Sequence, residues 1–219
     1  MGVSGFPIDL VLFGMIAAFL LLRLRSILGR RDGFEPSAGP VRPEGRPVGP
    51  VIDAVAETPA PSGRPLPDPA SPLGQTLAQM RQVDRNFDPQ RFLTGAEAAF
   101  RLIVTEFAAG NRDALRPLLS AETFATFESS ISAREASGER QTSEIRAIPS
   151  ATIMAASLRG AMADITVHFV SDQINQTVDR EGHYVSGTDA VTEIRDDWTF
   201  VRDLSQSDPA WRLTQARPA

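Results

Sequence analysis

The chain has 219 residues, 22 basic residues that are all arginine, 27 acidic residues and no cysteine. Without cysteine, a disulfide framework and a thiolate site are excluded. The net charge of −5 falls wholly on residues 71–219, where 15 arginines face 20 acids, while residues 1–70 carry 7 of each, so the folded part is a poor binder of phosphate backbones and no nucleic-acid partner is expected.

Residues 1–32 read as a membrane anchor with a basic flank. Leu10 to Leu22 runs without a charge. These 13 residues reach about 20 Å as a helix against a hydrocarbon core of roughly 30 Å. Phe6, Pro7 and Ile8 extend the span on one side, and Leu24, Ile27 and Leu28 extend it on the other once Arg23 and Arg25 snorkel to the interface. A cleaved signal peptide wants a basic region before its apolar run and a small-x-small site after it, and the segment has neither. Its positive residues, Arg23, Arg25, Arg30 and Arg31, all follow the run, so the positive-inside rule puts the amino terminus outside and the rest of the chain in the cytoplasm.

Residues 33–70 read as a spacer. Gly33 to Pro69 holds ten of the 17 prolines, and each fixes one dihedral, removes a donor and pushes its predecessor out of the helical region. Fully extended it spans about 115 Å, and as a flexible coil about 35 Å. Val51, Ile52 and Val55 form a small apolar cluster within it, suited to docking on a partner or on the domain.

Residues 71–219 carry the globular pattern. Ser71-Pro72 is an N-cap with proline at the first helical position, and Leu73, Leu77, Met80 and Val83 follow at helical spacing to an end near Asn86. Asp88-Pro89 repeats the signal; Phe92, Ala96, Phe100, Ile103 and Phe107 form one stripe, closed by Gly110. Asn111 caps a short helix that Pro117 disturbs, and Ser120 caps a fourth in which Phe124, Phe127 and Ile131 share a face before Gly138.

Beyond Gly138 the period changes to two. Ile145 to Leu158 is an irregular strand broken at Pro149. Ala161 to Ile174 alternates cleanly, with Ala161, Ala163, Ile165, Val167 and Phe169 opposite Met162, Asp164, Thr166 and His168. Asp179-Arg180-Glu181-Gly182 makes a turn. Val191 to Leu204 puts Ile194, Trp198 and Phe200 on one face, and Trp211 with Leu213 opens the last strand. Helices first and antiparallel strands after them give an α+β fold with helices laid on one face of the sheet.

Catalytic and metal sites need groups converging at short range, and few are available. His168 sits on the more polar face of its strand and His183 follows a turn. No histidine pair stands at helix-turn spacing, so no metal or cofactor is expected. Adjacent Asp196 and Asp197 point to opposite faces and cannot act as a carboxylate pair. An enzyme on this fold would have to use His168 with Asp164 or Asp196. The remaining constellation is aromatic: Phe100, Phe107, Phe124, Phe127, Phe169, Trp198, Phe200 and Trp211, which form a core and, where a curved sheet fails to close, line an apolar pocket.

The anchor ending Leu-Arg-Ser-Ile-Leu-Gly-Arg-Arg, the proline-rich tether, the helix Phe-Leu-Thr-Gly-Ala-Glu-Ala-Ala-Phe with Leu-Arg-Pro-Leu-Leu-Ser after it, the strand Val-His-Phe-Val-Ser, and the closing Asp-Trp-Thr-Phe-Val-Arg and Asp-Pro-Ala-Trp-Arg-Leu together resemble bacterial members of the TIM forty-four-like family. The resemblance implies a cystatin-like, nuclear-transport-factor-two-like domain with a large apolar pocket beside a membrane. It also implies a scaffold in protein translocation that touches a membrane protein complex or anionic lipid. Unlike the mitochondrial relatives, the chain has a hydrophobic anchor and lacks a long charged amino-terminal region, which argues against chaperone contact. The resulting expectation is a single-pass protein of the bacterial inner membrane, an adaptor without catalysis. A secretion-apparatus component with its domain outside the membrane is the alternative in topology.

Overall fold

A computed structural model describes residues 64–219. The expected membrane segment, Arg23, Arg25, Arg30 and Arg31, the Val51, Ile52 and Val55 cluster and most of the tether lie outside the described residues. No helix among the described residues is long and apolar enough to cross a membrane.

Helix α1 is Pro72–Val83, capped by the Ser71 hydroxyl, which accepts the Gly74 N–H at 3.0 Å, and it turns Leu77 and Met80 inward. It stops before Asn86 because Asp84 is extended and caps the Met80 carbonyl with its own N–H, while its carboxylate accepts the Asn86 N–H. Helix α2, Pro89–Ala109, starts at Asp88, whose carboxylate takes the Arg91 N–H at 2.8 Å. Its stripe of Phe92, Ala96, Phe100 and Ile103 is buried. Gly110 ends it at φ 75, a left-handed conformation that costs a residue with a Cβ about 1 kcal/mol or more. Helix α3, Arg112–Leu115, has only four residues, since Pro117 has no N–H to continue it. Helix α4, Ala121–Ser137, buries Phe124 and Ile131.

The strands form one antiparallel meander in the order β1-β2-β3-β4: Arg140–Arg159, Met162–Val178, Tyr184–Asp203 and Arg212–Pro218. The first three begin or end several residues beyond the stretches of hydrophobic alternation. Their polar extensions, such as Gln141 to Ser143 against Asn175 to Thr177, are held by backbone pairing with adjacent strands and show no apolar signal. Pro149 falls where expected in an irregularity, with the β1–β2 register slipping between Ala147 and Ser150. As an edge strand, β1 leaves carbonyls unpaired there. The Arg64 guanidinium donates to the Ile148 and Pro149 carbonyls and also grips the Glu97 carboxylate at 2.7 and 3.1 Å, tying the entering chain and α2 to that edge.

Helices cover one face of the sheet, called inner here. Ala163, Ile165, Val167 and Phe169 on β2 and Trp198 and Phe200 on β3 are buried against α2, with Phe100 stacked on Phe169 at 4.5 Å and tilted on Trp198 at 4.6 Å. Phe92 meets Trp211 at 4.8 Å and Phe200 at 6.1 Å. Such rings each contribute roughly 1.5–3 kcal/mol through apolar burial. The start of α4 is fixed to β4 by paired bonds between Leu118, Ser120 and Leu213 and by the Thr123 hydroxyl on the Thr214 carbonyl at 3.0 Å. A buried ion pair, Arg202 to Asp84 at 3.0 Å, joins the end of β3 to the α1–α2 turn.

Candidate functional site

Of the eight aromatic residues expected to shape a core or a pocket, Phe100, Phe124, Phe169, Trp198 and Phe200 are buried, and Phe107, Phe127 and Trp211 are half-buried against the same core. Seven of them fall into two groups, while Phe124 lies 4.1 Å from the Arg116 guanidinium. One runs from Trp211 through Phe92, Phe200 and Trp198 to Phe100 and Phe169; the other is Phe107 against Phe127 at 4.8 Å, with the Arg134 guanidinium 5.2 Å from the Phe107 ring. Burial of Arg134 lowers its pKa, and its donors are taken by the Gln141 side chain and the Phe107 and Ala108 carbonyls.

On the outer face, strand register lines up Thr152, His168, Asp197 and Arg217 across all four strands. His168 Nδ1 lies 2.8 Å from Asp197 Oδ1, and Arg217 approaches the other carboxylate oxygen at 3.9 Å. The histidine is thus paired neither with Asp164, which holds Ser157 and Arg159, nor with Asp196, whose side chain is on the other face. The reason is direct: antiparallel register places His168 opposite Asp197, and residues next to each other on a strand point oppositely. Thr166 and Thr199 share a hydrogen bond in the neighbouring row, and these residues, like His168 and Asp197, are half-buried. It is a polar ladder across the sheet.

The inner face holds what the sequence reading missed. Along β2 the buried series Ala163, Ile165, Val167, Phe169 continues as Ser171 and Gln173, which are as buried as the apolar members. Gln173 donates to the Ser171 hydroxyl at 2.8 Å, and Asn175 donates to the Gln173 carbonyl oxygen at 3.1 Å, so the row satisfies itself. Beside this row, on β3, stands Asp196, across from Phe169 on β2 and Pro218 on β4 and flanked along its own strand by Ile194 and Trp198. Burial, then repulsion from the Asp197 charge, pushes its pKa up to about 6, with His168 only partly offsetting them. Its carboxylate has no hydrogen bond or ion pair among the described residues, and no side-chain oxygen in that part is both sealed from solvent and unpaired. The group is partly exposed: desolvated, yet reachable. The signal for this patch was present in the odd-numbered positions of β2, where polar residues keep the phase of the apolar ones.

Two other features are less informative. A groove of about 240 Å³ lies among Met162, Val201, Arg202, Asp208 and Arg212 by the β3–β4 connection, where Arg202 and Arg212 already have acidic or carbonyl partners. In the β2–β3 turn Asp179, Glu181 and His183 bring ligand-type atoms within 4.8 Å of one another. Asp179 there accepts the His183 N–H at 2.9 Å, a bond that lowers its pKa and closes the turn.

Helices layered on one face of an antiparallel meander, with an inner face that changes from aromatic to polar, define an α+β domain. The chain belongs to the Tim44-like domain family, which matches residues 73–217. No curated protein matches it significantly. Among solved structures it is similar to the intermembrane space region of the chloroplast protein ARC6, at 10% identity and a TM-score of 0.42, over 57% of this chain and 95% of that one.

Proposed function

We propose that the protein is a membrane-anchored adaptor whose carboxy-terminal domain binds a protein or lipid partner and carries out no reaction itself, in a role connected with protein translocation. Membership of the Tim44-like domain family over residues 73–217 is the observation that carries this reading. The apolar run before Arg23 and the proline-rich spacer support it, because together they hold a folded domain within tens of ångströms of a bilayer. The aromatic set supports an apolar contact at the margin of the core, where Phe107, Phe127 and Trp211 are only half-buried.

The test is crosslinking of the full chain in intact cells followed by mass spectrometry of the membrane fraction. A reproducible membrane-protein or lipid adduct through residues 71–219 is the expected result; recovery of the protein alone, with neither, sinks the proposal. A compartment-sensitive reporter fused after Ala219 checks topology, with a cytoplasmic signal expected from the arginine distribution. A signal from the opposite side favours a domain outside the membrane.

A further inference from the structure

The inner face of an α+β sheet is where apolar side chains are expected, and every departure from that has a desolvation cost. Ser171, Gln173 and Asn175 offset theirs by bonding to one another. Asp196 does not. Each charged group that acts on it, Asp197 and His168, is on the outer face, and Arg217 and Arg195 there are directed at Asp197 and Glu193. On the helix side Arg101 donates to the Ile145 carbonyl, and the half-buried Arg134 is engaged with Gln141 and two α2 carbonyls. A carboxylate placed in an apolar setting, open on one side and lacking its own cation, is half of an ion pair.

We propose that Asp196 is the anchor for a basic side chain, arginine or lysine, of a partner polypeptide that approaches the helix-facing side of the sheet. Ile194 and Trp198 along the strand and Pro218 across from it supply apolar surface suited to the methylene stem of such a residue. An anionic lipid head group is disfavoured at this point by the same carboxylate. The inference rests on the adaptor reading and specifies its ligand.

The experiment uses the full chain in phosphatidylcholine nanodiscs with 5-fluorotryptophan at both tryptophans, read by fluorine NMR. Trp198 is two residues from Asp196 on the same face, and Trp211 serves as the internal reference. Titration with N-acetyl-arginine amide should move the Trp198 signal saturably and leave Trp211 in place, while the uncharged N-acetyl-citrulline amide binds at least tenfold more weakly. Binding should fall about tenfold between pH 7.5 and pH 5, as the carboxylate takes up a proton near pH 6. Asp196→Asn should remove the response, and Asp197→Asn, on the opposite face, should keep it. Equal affinity for the two probes, a flat pH profile in the wild type, or an unchanged response in Asp196→Asn overturns the proposal. The two readings fail separately: a partner crosslinked equally to wild type and Asp196→Asn, with no probe response, removes the anchor and keeps the adaptor, whereas a probe response with no crosslinked partner removes the adaptor alone.

Discussion

Asp196 and Asp197 are adjacent in the chain and stand on opposite sides of one sheet, and almost everything about the two faces follows from what covers them. On the outer face Asp197 pairs with His168 at 2.8 Å and leans toward Arg217, both side chains of the pair keeping part of their surface in water. Much of the inner face is roofed by α2, and its buried residues are either apolar and packed, like Trp198 and Phe200, or polar and self-bonded, like Ser171 and Gln173. Asp196 is the exception on that face. Two chemically identical side chains separated by one peptide bond therefore differ in the face they occupy, in partners and in what a substitution is expected to do.

The comparison breaks most visibly at Trp198, which is 5% exposed and touches Phe100, Phe169 and Phe200. Trp198→Ala should cost about 3–5 kcal/mol by urea unfolding at constant m-value. A domain that keeps its stability but loses its partner would instead make Trp198 part of the binding surface.

Much of this arrangement was legible from residue order. The caps at Ser71, Asp88 and Ser120, the stripe from Phe92 to Ile103 and the alternation from Ala163 to Phe169 each act within one element, so spacing reveals them. The opposite orientation of Asp196 and Asp197 was legible for the same reason. Register was not: whether His168 meets Asp196 or Asp197 depends on how β2 slides along β3, which no single strand specifies. The far ends of β1 to β3 were hidden too, because residues such as Gln141, Asn175 and Ser186 enter a strand through backbone pairing and carry no apolar alternation. Gln173 and Asp196 were visible as letters but not as desolvated groups, since burial is set by how separate elements pack and not by spacing within one strand.

Asp196→Asn sharpens the contrast within the inner face. The folded-state pKa lies at about 6 against an ordinary 3.8, so the native state holds this proton more tightly than the unfolded chain does. Its ionisation is therefore a cost to folding that is absent below about pH 4, grows as pH rises through 6 and is complete above it. Allowing for partial exposure, the asparagine variant should be about 2 kcal/mol more stable than wild type at pH 7.5, and the difference should disappear by about pH 4. Denaturant unfolding at the two pH values measures this. A variant less stable at pH 7.5 would mean that the carboxylate has a stabilising partner in the full chain.

The smallest effect belongs to the outer face. His168 and Asp197 side chains are each 24% exposed, and their contact crosses two strands already joined by a full backbone ladder. Coulomb attraction there is weakened by water, and holding both side chains in one geometry consumes rotamer freedom. His168→Ala should shift stability by less than about 1 kcal/mol, and the arginine probe should still reach Trp198, because the imidazole is separated from the inner face by the sheet itself. Removing the histidine also takes away a positive influence on Asp196, so the proton on Asp196 should be held slightly more tightly, in the direction opposite to Asp197→Asn. A His168→Ala loss as large as that of Trp198→Ala, measured by the same unfolding experiment, would show that the outer ladder is a structural or functional centre and would undo the distinction between the two faces.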